Sequence, residues 1–256
     1  MSRALLLALP LLALAACVTT TTGDRPVDPK GAAQDNVALG AHYLREGNLQ
    51  VAKEKLERAE QLDPKNPDVY WTKAVLYEQL NQPKEAERSY QKAMNLAPEN
   101  LEVLNTYAAF LCKQGEVDRA VPLFEKLIAN KLYAQPYVAA TNAGTCLRGD
   151  KRSAEAQRYF ERALTLGPGY ADAAVSLADL QLDQGKPDAA GTIVKTFLAA
   201  GNKSDGVLLV GVRAAVAQRD CGTAQLYARL LRRDSPNSAQ AGALPQVLGA
   251  CSSTTF

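Results

Sequence analysis

Asn105-Thr106-Tyr107-Ala108-Ala109-Phe110-Leu111-Cys112 sets a small residue, Ala108, three positions before a large apolar one, Leu111. After a break at Gln114-Gly115 the alternation resumes with Ala120, Phe124 and Leu127. Offsets of three and four place such residues on one face of a helix, so the stretch reads as two helices whose apolar stripes face each other. Moving outward, the small residue returns as Ala52, Ala86, Ala156, Ala190 and Ala224. The larger one returns as Leu56, Tyr90, Phe160, Val194 and Ala228, and the third member as Ala59, Ala93, Ala163, Phe197 and Leu231. The first-half stripe repeats in Leu39, Gly40 and Tyr43, in Ala74 and Tyr77, in Gly144 and Leu147, and in Leu177 and Ala178.

The prolines fix the period. Pro64 and Pro98 are 34 residues apart, Pro168 and Pro236 are 68 apart, and Pro98 and Pro168 are 70 apart, which leaves two extra residues in the third unit. Six units therefore run over 33–238, starting near Ala33, Pro67, Leu101, Tyr137, Ala171 and Asp205. This pattern resembles the tetratricopeptide repeat, a helix-turn-helix unit of about 34 residues. The match weakens in unit five, where Asn202 replaces the proline, and in the first half of unit six.

Turn chemistry falls mid-unit at Gly47-Asn48, Asn81-Gln82-Pro83, Gln114-Gly115, Arg148-Gly149-Asp150, Gln184-Gly185-Lys186-Pro187 and Arg219-Asp220. No segment sustains a period-two strand pattern. The expectation is an all-α superhelix of about twelve helices, closed by a capping segment within 239–256 that carries Ala243, Leu244, Val247 and Leu248. Each hairpin alone exposes its apolar stripe, and stacking buries it.

The N-terminus carries Arg3, an apolar run of 13 residues from Ala4 to Ala16, and then Cys17 directly after Leu14-Ala15-Ala16. Thirteen residues rise about 20 Å as a helix, short of a bilayer core of roughly 30 Å. The ending resembles a lipobox, which implies cleavage after a leader of residues 1–16 and acylation of Cys17 on its sulfur and its amine. A plain signal peptide with an incidental cysteine, or a short membrane anchor, are the other readings. Val18, not Asp, follows Cys17, and lipoproteins of that pattern are sent to the outer membrane. Residues 17–32, with Thr19 to Thr22, Gly23, Pro26 and Pro29, read as a polar leash.

Four further cysteines, Cys112, Cys146, Cys221 and Cys251, are an even number suited to an oxidising periplasm. Cys112 and Cys146 fall at nearly the same level of successive first helices, so the expected pairing is 112 with 146 and 221 with 251. Buried free thiols are the alternative. Zinc is disfavoured, because His42 is the only histidine and no CxxC occurs.

No catalytic constellation stands out. His42 is far from any nucleophile motif, Gly144 occupies a small-residue repeat position, and Glu54, Glu57, Glu85 and Glu87 alternate with Lys and Arg as on a solvated helix face. The chain reads as a non-enzyme with no cofactor beyond the acyl groups and no small-molecule substrate. With 29 basic and 27 acidic residues it lacks the charge imbalance of a nucleic-acid binder. Arg229, Arg232 and Arg233 read as an exposed helix face, with anionic lipid or peptidoglycan as the other candidate contact.

A binding surface remains. In solenoids of this type the first helices line a concave groove, and the repeat frame puts Val37, Ala41, Leu44, Trp71, Val75, Glu78, Asn105, Ala109, Thr141 and Thr145 on it. Trp71 either anchors a partner there or packs against Leu101 or Val103 of the next unit as core. The lipobox, the Thr/Pro leash, Asn36-Val-Ala-Leu-Gly-Ala-His-Tyr-Leu44, and the opening 105–112 stretch with Cys146 together resemble the PilF/PilW family of type IV pilus biogenesis lipoproteins. That resemblance implies a pilotin, which binds the type IV pilus secretin and promotes its localisation and multimerisation at the outer membrane, anchored on the periplasmic face. A periplasmic repeat scaffold for peptidoglycan enzymes or another envelope complex is the competing reading.

Overall fold

A computed structural model describes residues 28–251, which form thirteen α-helices and a terminal 3₁₀ turn with no strand among them. The expected leader, Cys17 and residues 252–256 lie outside the described residues. Six hairpins follow in order: α1 (Pro29–Arg45) with α2 (Leu49–Leu62), α3 (Pro67–Gln79) with α4 (Pro83–Leu96), and α5 (Leu101–Lys113) with α6 (Val117–Ala129). Then come α7 (Pro136–Gly149) with α8 (Ser153–Leu166), α9 (Ala171–Asp183) with α10 (Pro187–Ala199), and α11 (Asp205–Ala217) with α12 (Cys221–Asp234). The cap is α13 (Ala239–Leu248), packed on α11 and α12.

Volume complementarity holds each hairpin shut. A Cβ on Gly40 would come within 2.8 Å of Leu56, and one on Gly144 within 2.6 Å of Phe160. The small residue of the first helix is therefore the socket for the large residue of the second. Unit six inverts the arrangement, with Val212 on the first helix and Ala228 on the second, both fully buried. Summed volume, not residue identity, is what the site requires.

Each mid-unit turn is closed the same way. The amide of the residue immediately after each left-handed position reaches back to a first-helix carbonyl: Asn48 to Tyr43, Gln82 to Tyr77, Glu116 to Leu111, Arg152 to Leu147, Lys186 to Gln181 and Asp220 to Ala215, all at 2.8 to 2.9 Å. The left-handed residues themselves are Gly47, Asn81, Gly115, Lys151, Gly185 and Arg219. In unit four the break expected at Arg148-Gly149-Asp150 lies later: Gly149 is the last helical residue, Asp150 caps the helix, and the repeat register assigns the left-handed position to Lys151.

Residues 29–32, expected to belong to the leash, are helical instead. Helix α1 starts at Pro29, because the Asp28 carboxylate accepts from the Lys30 amide at 3.1 Å and Pro29 fits the first helical position. The two extra residues of unit three lie in the loop 130–135. They bury Tyr133 in the core and leave Leu132 89% exposed.

Unit one ends the stack with polar substitutions. Val69, Val103, Ala139, Ala173 and Val207 are fully buried between units, and the equivalent residue of unit one is exposed Asp35. Leu76, Phe110, Cys146, Leu180 and Ala214 are likewise buried, and their equivalent is His42, exposed and 3.2 Å from Glu46. The lone histidine is thus part of an end cap, as solenoids require.

Candidate functional site

The first helices α1, α3, α5, α7, α9 and α11 lie side by side. Consecutive pairs pack closely, except α3 and α5, which stand further apart. The side chains at that junction explain the gap. Tyr90, Tyr107 and Phe110 form an aromatic cluster with ring centroids 5.3 to 6.3 Å apart, and Trp71 packs beside it. At the junction of units four and five the positions equivalent to Tyr90, Tyr107 and Phe110 hold Phe160, Leu177 and Leu180, and those equivalent to Tyr70 and Val103 hold Ala140 and Ala173, small enough for helix backbones to approach.

Of the ten groove residues expected from the sequence, three are not on an open surface. Val37 and Leu44 are each 6% exposed and Thr141 is 5% exposed. Val37 joins Val69, Tyr70 and Val103 in one cluster, and Leu44 joins Leu56 and Leu76 in another, because α3 lies over α1 and covers them. The Thr141 hydroxyl is spent on the Tyr137 carbonyl at 2.8 Å. Trp71 resolves toward core packing. It is half-buried against the clusters containing Val103 and Leu104, and its indole N–H is buried without an acceptor. Ala41, Val75, Glu78, Asn105 and Ala109 stay half-buried and Thr145 is exposed.

Between α3 and α5 a cavity of about 410 Å³ opens, walled by Val75 and Phe110, with Thr106 and Lys113 on one side. Glu78 stands within it, 16% exposed, and its carboxylate is held from two directions. The hydroxyl of Tyr90, a fully buried residue, donates to Oε1 at 2.5 Å, and Lys113 Nζ donates to Oε2 at 3.0 Å. Burial and the neighbouring Glu78 push the Tyr90 phenol far above its ordinary value, which favours its protonated, donating form. The carboxamides of Gln79, Asn81, Gln82 and Gln114 form the rim. Sequence reasoning missed Phe110, Thr106 and Lys113 as parts of this site. A search for opposite charges about one period apart would have found Lys113, 35 residues from Glu78.

Further along, the groove is crossed by the chain's own pairs. Asn142 donates to Asn105 at 3.3 Å, Arg148 pairs with Asp183, and Arg213 pairs with Asp179. Cys112 and Cys146 are joined as a disulfide with Cα atoms 5.5 Å apart, tying α5 to α7. Cys221 and Cys251, 5.1 Å apart, tie α12 to the end of the cap. Among the described residues no cluster of His, Cys, Asp or Glu is placed to hold a metal, and no helix is long and apolar enough to cross a membrane. The arrangement offers shape, one fixed carboxylate and apolar walls.

Comparison with known proteins agrees with this architecture. A tetratricopeptide repeat family model matches residues 43–90 and 147–209, and a second, of YpiA-like C-terminal tetratricopeptide repeats, matches 67–131. The type IV pilus assembly protein PilF of Pseudomonas aeruginosa is 30% identical over 239 residues, covering 92% of this chain and 95% of that protein. A solved structure of P. aeruginosa PilF superposes with a TM-score of 0.63 at 29% identity, over 85% of this chain and 98% of that one. The structure of PilW, described as a widely conserved type IV pilus biogenesis factor, superposes with a TM-score of 0.64 at 25% identity, over 83% and 98%. Thirty per cent identity to PilF over 92% of the chain, together with the shared repeat architecture, places the chain in the PilF/PilW family of type IV pilus biogenesis tetratricopeptide-repeat proteins.

Proposed function

We propose that this protein is a pilotin, a non-catalytic assembly factor that binds the type IV pilus secretin and brings it to the outer membrane for multimerisation. Family membership over nearly the whole chain carries the reading. The half-buried, apolar stretch of groove formed by Ala41, Val75 and Ala109 is the surface on which a secretin segment would lie. Acyl chains on Cys17 would hold the protein at the periplasmic face of the outer membrane. A single chain binds a bilayer only marginally, whereas several together anchor stably. Holding both partners on one surface raises their effective concentration, so modest groove affinity suffices.

Membrane fractionation of a Cys17→Ala strain tests the anchoring. Secretin multimers are expected to leave the outer-membrane fraction while the soluble protein remains folded. Normal secretin rings in that fraction would remove the tethering step. Copurification of peptidoglycan enzymes instead of secretin would replace the pilotin reading with the scaffold one.

A further inference from the structure

We propose that the cavity between α3 and α5 receives a Lys or Arg side chain of the bound segment, with Glu78 as its counter-ion and Lys113 as the group it displaces. This rests on the reading of the groove as the secretin-binding face.

Three observations carry it. Glu78 is a positioned carboxylate, fixed from beneath by Tyr90 and 16% exposed, so it does not swing away into solvent. Among the described residues its only cationic partner is Lys113, 68% exposed on the neighbouring unit, and a single pair to so exposed an amine is worth about 0–1 kcal/mol, which makes displacement cheap. The cavity of about 410 Å³ has the chemistry of a long cationic side chain. Val75 and Phe110 line it for an aliphatic stem, while the Thr106 hydroxyl and the rim carboxamide oxygens can accept from an ammonium or guanidinium.

The repeats provide an internal control. At the position equivalent to Glu78 the other units carry Leu44, Cys112, Arg148, Leu182 and Val216, so this is the one acid in the series. It coincides with the one junction where the first helices stand apart.

The test uses the full chain in detergent against immobilised soluble fragments of the type IV pilus secretin, with thermal melting recorded for every variant. Glu78→Gln, which still accepts from Tyr90, is expected to weaken binding at least tenfold. Lys113→Met is expected to strengthen it about threefold, because the competing amine is gone. Weakening by Lys113→Met would assign the site to an anionic group, and unchanged binding by both variants would leave the cavity without a partner side chain; either result overturns the proposal. A folded wild-type chain that binds no secretin fragment would instead overturn the secretin reading, and this inference with it.

Discussion

Units two and three carry Val75 and Ala109 at equivalent groove positions; units five and six carry Asp179 and Arg213 there, joined by an ion pair. A second equivalence runs with reversed polarity. Glu78 meets Lys113 across the junction of units two and three, and Arg148 meets Asp183 across that of units four and five. The same hairpin recurs in both halves, but aromatic bulk holds α3 away from α5 while alanines let α7 and α9 close. One half of the groove is therefore left with unspent apolar surface and a fixed acid. The other is stitched by its own charges. Repetition supplies the scaffold, and deviations from it supply the site.

The disulfide between Cys112 and Cys146 lies at the border of the two halves, and removing it is expected to have the largest effect. Closing a loop of 34 residues contributes about 3–4 kcal/mol on the chain-entropy view. In a one-dimensional stack, weakening a central junction also uncouples its flanks. The Cys112→Ala/Cys146→Ala variant should lose that much stability in urea unfolding followed by circular dichroism, and its single transition should split. A variant that unfolds in one step at the wild-type midpoint would show that the halves do not depend on this link.

Exchanging the groove chemistry comes next. Val75→Asp/Ala109→Arg transplants the second-half pair into the first half and is expected to weaken secretin-fragment binding about 100-fold, roughly 2.7 kcal/mol. The reciprocal Asp179→Val/Arg213→Ala should alter binding less than twofold and stability by less than about 1 kcal/mol, as for other partly exposed pairs. If the reciprocal variant is the one that loses the secretin, the binding face lies in the second half.

Periodicity reached the units, the hairpin turns and the small-to-large pairing, since all of these depend on one repeat and its neighbours in sequence. It did not reach what depends on how units stack. Val37 and Leu44 occupy groove positions in the repeat frame, yet α3 covers them, and Trp71 is drawn into the core by the aromatic junction. Unit six keeps its core by exchanging Gly144/Phe160 for Val212/Ala228, a compensation invisible position by position. Lys151 shows register overriding residue preference: glycine lies two residues away, but the hydrogen bond from Arg152 to Leu147 fixes which residue turns left-handed.

The smallest expected effect is a pH dependence at the junction of units three and four. Burial works against ionisation of Glu125, but hydrogen bonds from Tyr159 and Arg162, with the Arg162 charge, outweigh it and hold the carboxyl below its ordinary value of 4.5. Tyr159 donates at 2.6 Å and Arg162 at 2.8 and 2.9 Å, all across the junction of units three and four. A carboxyl with a depressed folded-state pKa adds stability that is complete above its unfolded value and is lost as pH falls through the folded value. Glu125 is 40% exposed, so solvent screening keeps the contribution below about 1 kcal/mol. Melting at pH 7 should therefore show Glu125→Gln slightly less stable than wild type, with the gap closing as pH falls below the ordinary carboxyl value of 4.5 and through the depressed folded-state value. A gap for Glu125→Gln that persists at pH 3 would mean the carboxamide disturbs packing, and that charge contributes nothing at this junction.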